Sequence, residues 1–338
     1  MLKDNFNFIS KLSSSKILNW IRVLASYFIT RIFGGSHHGG LPLSLSIEPT
    51  TACNLRCPEC PSGLRSFQRP TGKMDLKLLE KILGEVKSHC TYINFYFQGE
   101  PYLHPQFLDM VQLCGTHKIY SATSTNAHFL DSEKAKATVE SGLDRLIISI
   151  DGTDQSTYES YRKEGDLSKV IDGTKNILHW KKELQSKTPH VIFQFLVVKP
   201  NEHQMEDVKK LGKELGVDEV RFKTAQIYDF ENGNELIPDQ DQFSRYRKTK
   251  LGKWEIKNPL DDHCWRMWSG AVITWDGRVV PCCFDKDAKH SMGSLQTESF
   301  SSIWKNAHYR KFRASILKSR SEIDMCKNCS EGTTVWAN

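Results

Sequence analysis

No uninterrupted apolar run in this sequence reaches the roughly 20 residues that a bilayer crossing takes. The most apolar stretch, residues 17–33 (ILNWIRVLASYFITRIF), is interrupted by Arg22 and Arg31. The start of the chain lacks an apolar core followed by a small-residue cleavage site, so no secretory signal is expected. Internal repeats and low-complexity tracts are also missing, which speaks against solenoids and disordered linkers. Charge of one sign is scarce: 46 Lys and Arg against 40 Asp and Glu leave +6 over 338 residues. An excess that mild suits an anionic substrate or a membrane surface, and it does not by itself indicate nucleic acid. With 39% hydrophobic and 25% charged residues, the chain has an ordinary globular composition and enough material for a sizeable core.

Cysteine is what the sequence has in an unusual arrangement. Of ten cysteines, three lie at Cys53, Cys57 and Cys60, and five at Cys264, Cys282, Cys283, Cys326 and Cys329. Cys90 and Cys114 fall in helical stretches and read as buried core thiols. Clustered thiols in a chain without a secretory signal point to metal ligands or catalysts in a reducing cytoplasm.

The chain divides into three regions: 1–40, 41–228 and 229–338. The first is a helical extension. Its segment 17–33 reads either as an interfacial helix with a basic face, giving peripheral membrane contact, or as a helix packed on its own domain. In the second region, β-rich runs at 43–48, 92–97, 119–123, 145–150, 191–198 and 219–223 alternate with helical stretches. Over 75–89, Leu76, Leu79, Ile82, Leu83 and Val86 recur at helical spacing behind Asp75, an N-cap candidate. Asp131 opens a further helix, and 203–215 forms another before Gly216. Six such units predict an α/β fold with a parallel sheet, and ligands at the C-terminal ends of its strands. In the third region, 230–262 is polar and loop-rich, and 271–282 reads as a hairpin turning at Asp276-Gly277.

Cys53, Cys57 and Cys60 follow the first strand at C-x3-C-x2-C spacing. Three thiolates in one short loop can hold three corners of a cuboidal iron–sulfur cluster and leave the fourth iron open. Zinc is the alternative, although structural zinc usually takes four ligands.

The triplet resembles the signature of the radical S-adenosylmethionine (radical SAM) superfamily, and the resemblance extends over about 42–225. Phe97-Gln98-Gly99-Glu100-Pro101 is similar to the family's Gly-Gly-Glu-Pro segment, with Gln98 in place of the first glycine. Ser124-Thr125-Asn126 ends the third strand and Ser149-Ile150-Asp151 the fourth. The resemblance implies a partial (β/α)6 TIM-like barrel with a small C-terminal cysteine-rich β-hairpin/helix extension. It implies that Gly99, Glu100 and Pro101 bind the methionine amino group of SAM. Ser124, Asn126, Ser149 and Asp151 would then lie by its carboxylate and ribose. A SAM-bound [4Fe–4S] cluster would cleave the cofactor to a 5′-deoxyadenosyl radical, which takes a hydrogen atom from the substrate.

Cys264 and Cys282 flank the hairpin, and Cys326-Lys327-Asn328-Cys329 closes the region. This set resembles SPASM- and twitch-type extensions, which implies one auxiliary [4Fe–4S] cluster. A zinc ribbon has a similar four-cysteine look. Cys283 either substitutes for Cys282 or stays free, as a candidate catalytic thiol.

Two functions follow. The first is a radical SAM maturase, dehydrogenase or epimerase acting on a peptide or small polar metabolite, supplied with electrons by a flavodoxin- or ferredoxin-like reductant. The second is a zinc-stabilised binding protein for nucleic acid or membrane. For the second, Arg310, Lys311, Arg313, Lys318 and Arg320 offer a basic helical face, which reads more simply as a solvated surface. On the first reading no nucleic acid is expected as a partner.

Overall fold

The structure, a computed structural model, describes residues 2–335. Two helices, α1 (Leu2–Ser10) and α2 (Ser14–Phe33), precede six β-strands: β1 (Ser44–Ile47), β2 (Tyr92–Asn94), β3 (Tyr120–Thr125), β4 (Arg145–Ser149), β5 (His190–Val197) and β6 (Glu219–Thr224). Neighbours in this series pair in parallel, in sequence order. Between them run α3 (Pro61–Leu64), α4 (Leu76–Val86), α5 (Phe107–Thr116), α6 (Ser132–Glu140), α7 (Gln155–Tyr161), α8 (Leu167–Glu183) and α9 (Met205–Leu215). This is the expected partial (β/α)6 barrel.

The period-two alternation of the strands separates its two faces. Strand β1 reads Ser44-Leu45-Ser46-Ile47, with Leu45 and Ile47 buried and the serines half-buried toward the lumen. The outer face meets the helices. In α4 the Asp75 carboxylate accepts from the Lys77 amide at 2.7 Å. Leu79, Ile82, Leu83 and Val86 are buried as expected; Leu78 is buried too, while Leu76 lies at the margin of the core. Each such side chain contributes about 1.5–3 kcal/mol. Helix α9 stops at Gly216, whose φ of +84° is the left-handed C-terminal conformation that favours glycine.

The N-terminal helices lie against the N-terminal ends of the strands. Asp4 pairs with Arg145 and accepts from the Tyr120 hydroxyl, and Asp144 pairs with Lys11 and accepts from Asn7 at 2.8 Å. Tyr27 of α2 meets Trp265 and Trp268 edge-on, with ring centroids 5.2 and 5.6 Å apart. Helices α1 and α2 are thus docked by ion pairs at one end and aromatic contacts at the other.

Beyond β6 the polar stretch contains an antiparallel ribbon, β7 (Tyr246–Lys248) with β8 (Trp254–Ile256), which composition alone did not reveal. After α10 (Arg266–Ser269), the hairpin forms as β9 (Gly270–Ile273) and β10 (Arg278–Val280), joined by β11 (Gly293–Ser294). Gly277, at φ +83°, makes the turn. Strand β9 pairs in parallel with β1, so the C-terminal hairpin extends the barrel sheet into nine strands in the order 11-10-9-1-2-3-4-5-6. Helices α11 (Phe300–Lys305) and α12 (Ala307–Ser319) cover this end.

Of the five basic residues near the C-terminus, Arg310, Lys311 and Lys318 are exposed, as a solvated face requires, and two are not. Arg313 and Arg320 are each only 1% exposed. Arg313 donates to the carbonyls of Met267 and Trp304 and lies against the rings of Trp304 and Tyr309. An arginine stem and planar head pack well between aromatic rings, so a basic residue spaced like a surface residue is here part of the core.

Candidate active site and auxiliary cysteine site

The loop after β1 curls back over the C-terminal ends of the strands. Helix α3 begins at Pro61, directly after Cys60, and the Leu64 amide donates to the Cys60 carbonyl at 2.8 Å. Gly63 sits so close to this loop that a Cβ there would lie 2.6 Å from the Cys57 amide nitrogen. The three thiols share one cavity of 180 Å³ with Tyr96, Gly99, Glu100, Ser124, Asn126 and Ser149, among other residues. Sequence positions spread over almost 100 residues therefore converge, as expected, at the C-terminal rim of the sheet.

Gly99 has φ +78°, and a Cβ there would lie 2.2 Å from the Thr50 carbonyl oxygen. Only glycine closes this turn. Its amide donates to Ser62 Oγ at 2.8 Å, and the Glu100 amide donates to the Ala52 carbonyl at 2.7 Å. The 98–100 segment is thereby fixed to the cysteine loop. Gln98, standing where the related motif has glycine, is 6% exposed; its Oε1 accepts from Ser62 Oγ at 3.2 Å.

Glu100 is 2% exposed. Its carboxylate accepts from Thr125 Oγ1 at 2.7 Å, the Asn126 amide at 2.8 Å and the Tyr102 amide at 3.3 Å. Burial outweighs these bonds and pushes its pKa up to about 7. An ammonium group brought beside it would restore the charged form.

Two predicted site residues fall outside the cavity wall. Pro101 opens a buried 3-10 turn, Pro101–Leu103, behind the wall. Asp151 is fully buried, with Oδ1 accepting from the Leu196 amide at 2.7 Å and Oδ2 from Arg162 Nε at 2.5 Å. It holds Arg162, which lines the cavity and donates from Nη1 to Cys57 Sγ at 3.8 Å. Sequence reasoning missed Arg162: a single arginine just past α7 carries no local signal. Burial pushes the Cys53 thiol up to about 12, and it raises Cys57 as well while Arg162 pulls the other way.

These residues fit a cuboidal cluster with an open iron. Three soft thiols form one wall, no fourth cysteine among the described residues lines that cavity, and a cation stands by one thiol. Leu55, Tyr161 and Val198 pack around the loop and keep water from its inner side.

The second cysteine group is built differently. Cys264, Cys326 and Cys329 are buried near Arg320, whose Nη2 donates to Cys329 Sγ at 3.0 Å and whose Nη1 donates to the His263 carbonyl at 3.2 Å. Gly332 folds over Cys264, its carbonyl accepting from the Trp265 amide at 2.7 Å. Cys282 and Cys283 follow β10 and share a cavity wall with Arg266. The neighbouring Cys282 thiol, with Lys286 and Arg266 nearby, holds the Cys283 thiol below the usual cysteine range. Cys283 packs against the cluster of Phe97, Val272, Val280 and Ala288, of which Phe97 also lines the first cavity. The two cysteine loops are tied through residues 227–228: the Tyr228 amide donates to Glu59 at 2.9 Å, and Asn328 donates to the Ile227 carbonyl at 2.6 Å.

Comparisons with known proteins agree with this geometry. Residues 47–212 match the family described as the radical SAM superfamily, and residues 264–330 match SPASM, an iron–sulfur cluster-binding domain. The chain is 26% identical to the tungsten-containing aldehyde ferredoxin oxidoreductase cofactor-modifying protein of Pyrococcus furiosus, over 85% of this chain and 86% of that one. It is 22% identical to the PqqA peptide cyclase of Gluconobacter oxydans, over 87% and 84%. Streptococcus suis SuiB bound to the precursor peptide SuiA has the same fold, with a TM-score of 0.63 at 15% identity over 88% of this chain and 73% of that one. So does anSMEcpe with bound AdoMet and the Cp18Cys peptide, with a TM-score of 0.60 at 21% identity over 86% of each chain. The chain belongs to the radical SAM superfamily, with a SPASM extension, and is an enzyme that works with SAM and [4Fe–4S] clusters.

Proposed function

We propose that this protein is a radical SAM peptide maturase, with a catalytic cluster held by Cys53, Cys57 and Cys60 and one auxiliary cluster held by Cys264, Cys282, Cys326 and Cys329. The observation that carries the reading is the shared cavity of three thiols with Gly99, Glu100, Ser124, Asn126 and Ser149. In it Glu100 receives the ammonium of SAM, while Ser124, Asn126 and Ser149 orient its carboxylate and ribose. Asp151 contributes by fixing Arg162 beside Cys57. When bound, the cluster and SAM supply the radical that removes a hydrogen atom; the protein orients the substrate and excludes water. The peptide substrate is supported by the relatives, among them a peptide cyclase and two enzymes seen with peptides. Cys283, next to Cys282 and packed on the cluster that holds Phe97, is the thiol available to return a hydrogen atom. A flavodoxin- or ferredoxin-like protein provides the electron, and the reduced thiol clusters suit a cytoplasmic setting.

Anaerobic incubation of cluster-replete protein with SAM and a reductant should give 5′-deoxyadenosine, detected by mass spectrometry. Cluster-replete protein that binds SAM and never cleaves it would refute the reading.

Peripheral membrane contact is part of the proposal. No helix among the described residues is long and apolar enough to cross a membrane. Yet Phe6, Ile9, Leu18, Ile21, Phe28 and Ile32 are all exposed, on the side of α1 and α2 away from the barrel, with exposed Arg22 and Arg31 beside them. An apolar face flanked by cations suits the surface of an anionic bilayer. The intact protein should sediment with anionic vesicles at low salt, and Ile21→Ser with Ile32→Ser should abolish this; indifference to the double substitution would make the face structural only.

A further inference from the structure

The lumen of the barrel holds a second cavity, of 790 Å³, which shares Tyr96 with the cavity of the three thiols. Its lining is polar for a barrel interior. Strand alternation sends Arg145, Arg221 and Lys223 into it, and Arg245 and Arg266 close it from the C-terminal region.

Two carboxylates, Glu219 and Glu331, also line it. Glu219 is occupied by Arg221, at 2.6 and 2.9 Å. Glu331 is divided between Arg266 at 2.7 Å and Arg245 at 3.7 Å. Asp4 reaches Arg145 from outside the lumen. The balance stays positive, and Lys223 has no carboxylate within ion-pair distance among the described residues. Arg245 Nη1, Arg266 Nε and Arg145 Nε are moreover buried without a hydrogen-bond acceptor. A buried donor left unpaired is costly, and an entering oxyanion lets these side chains regroup around it with charge-assisted bonds. Guanidinium groups, with their planar fork of donors, match carboxylate and phosphate in particular.

We propose that the lumen is an oxyanion site, and that it seats the carboxylate of an acidic residue next to the reacting position of the peptide. This assignment rests on the peptide reading above. The same cations suit a phosphate group, so the source of the oxyanion is what the experiment separates.

The test uses full-length reconstituted protein and three probes in calorimetric titrations: a short oligoglutamate peptide, its oligoglutamine counterpart and inorganic phosphate. Oligoglutamate should bind at least about tenfold more tightly than oligoglutamine, because one charge-assisted contact is worth that much. Added salt should weaken it. Lys223→Gln and Arg245→Gln should each reduce its affinity by about tenfold. Arg245 also contacts Thr224, so Lys223→Gln, with no ion partner to lose, is the variant whose folding is safest. Equal binding of the two peptides, or binding indifferent to Lys223→Gln, would overturn the oxyanion site. Phosphate binding more tightly than oligoglutamate would overturn the acidic-peptide source and assign the lumen to a phosphorylated substrate. Cleavage of SAM by the unsubstituted protein is measured in parallel. Its failure with intact oligoglutamate binding would break the radical SAM reading, and the reverse result would break the lumen assignment alone.

Discussion

The two cysteine groups contrast in how the chain builds them. Cys53, Cys57 and Cys60 come from one loop of eight residues pinned to β1, and they face a cavity with polar strand ends on its far side. The four thiols proposed for the second cluster come from three separate stretches over 264–329: Cys264, Cys326 and Cys329 lie near Arg320, with Gly332 over Cys264, and Cys282 stands with Cys283 in the wall by Arg266. A local, open set suits a site that must admit a ligand. A dispersed, covered set ties together chain segments that are far apart in sequence, so filling it is coupled to folding.

The largest effects should come from breaking each side of this contrast. Cys53→Ala should abolish SAM cleavage and product formation together. Replacing Cys326 and Cys329 by Ala should leave uncoupled cleavage to 5′-deoxyadenosine while peptide product collapses. Reconstituted protein should hold about eight irons per chain, since each cluster has four, and the Cys326/Cys329 variant about half. It should also lose more thermal stability than Cys53→Ala, because only the second set joins distant segments. Full product from the folded double variant would remove the auxiliary cluster from the mechanism.

The contrast also explains what the sequence revealed. The first site was legible because its elements are local: a cysteine triplet, a glycine that must take positive φ, and polar residues at strand ends. The alternation of Ser44-Leu45-Ser46-Ile47 and the stripe on α4 likewise carry their own signal. The long-range joins do not. Nothing local in 270–273 says that this strand pairs with β1, and nothing near Asp4 or Asp144 announces Arg145 or Lys11 as a partner. Asp151 was placed at the rim by its position after β4, yet its charge is spent on Arg162. Arg313 and Arg320 looked like surface residues because their spacing is that of a solvated helix face; their partners, aromatic rings and a cysteine, come from elsewhere in the chain.

A smaller effect tests the support behind the first loop. Asp151→Asn leaves the Arg162 guanidinium buried with a weaker partner. Breaking a buried pair in this way typically costs about 3–5 kcal/mol. Chemical denaturation should register that loss, and iron bound at the first site should fall while that at the second is retained. Unchanged stability would mean that Arg162 is held in place by Cys57 and the loop without the carboxylate.

The mildest perturbation is a change of pH. Glu100 is largely protonated in the free protein below about pH 7, because burial raises its pKa. On the proposed reading, the ammonium of SAM binds the carboxylate and displaces that proton. Affinity for SAM should therefore rise with pH, by up to about tenfold per unit while the proton must be released, and level off above about 7. The sign is opposite to that of a site built on a histidinium, which would lose an anionic ligand as pH rises. Glu100→Gln cannot titrate. It should lower affinity by about 1–3 kcal/mol at pH 8, and its affinity should be nearly flat from pH 6 to 8. Its Oε1 can still accept from Thr125 or Asn126, so the wall should keep its shape, and cluster content checks that. Equilibrium titration of SAM at several pH values measures both slopes. A slope that survives in Glu100→Gln would assign the proton to another group and move the ammonium away from Glu100.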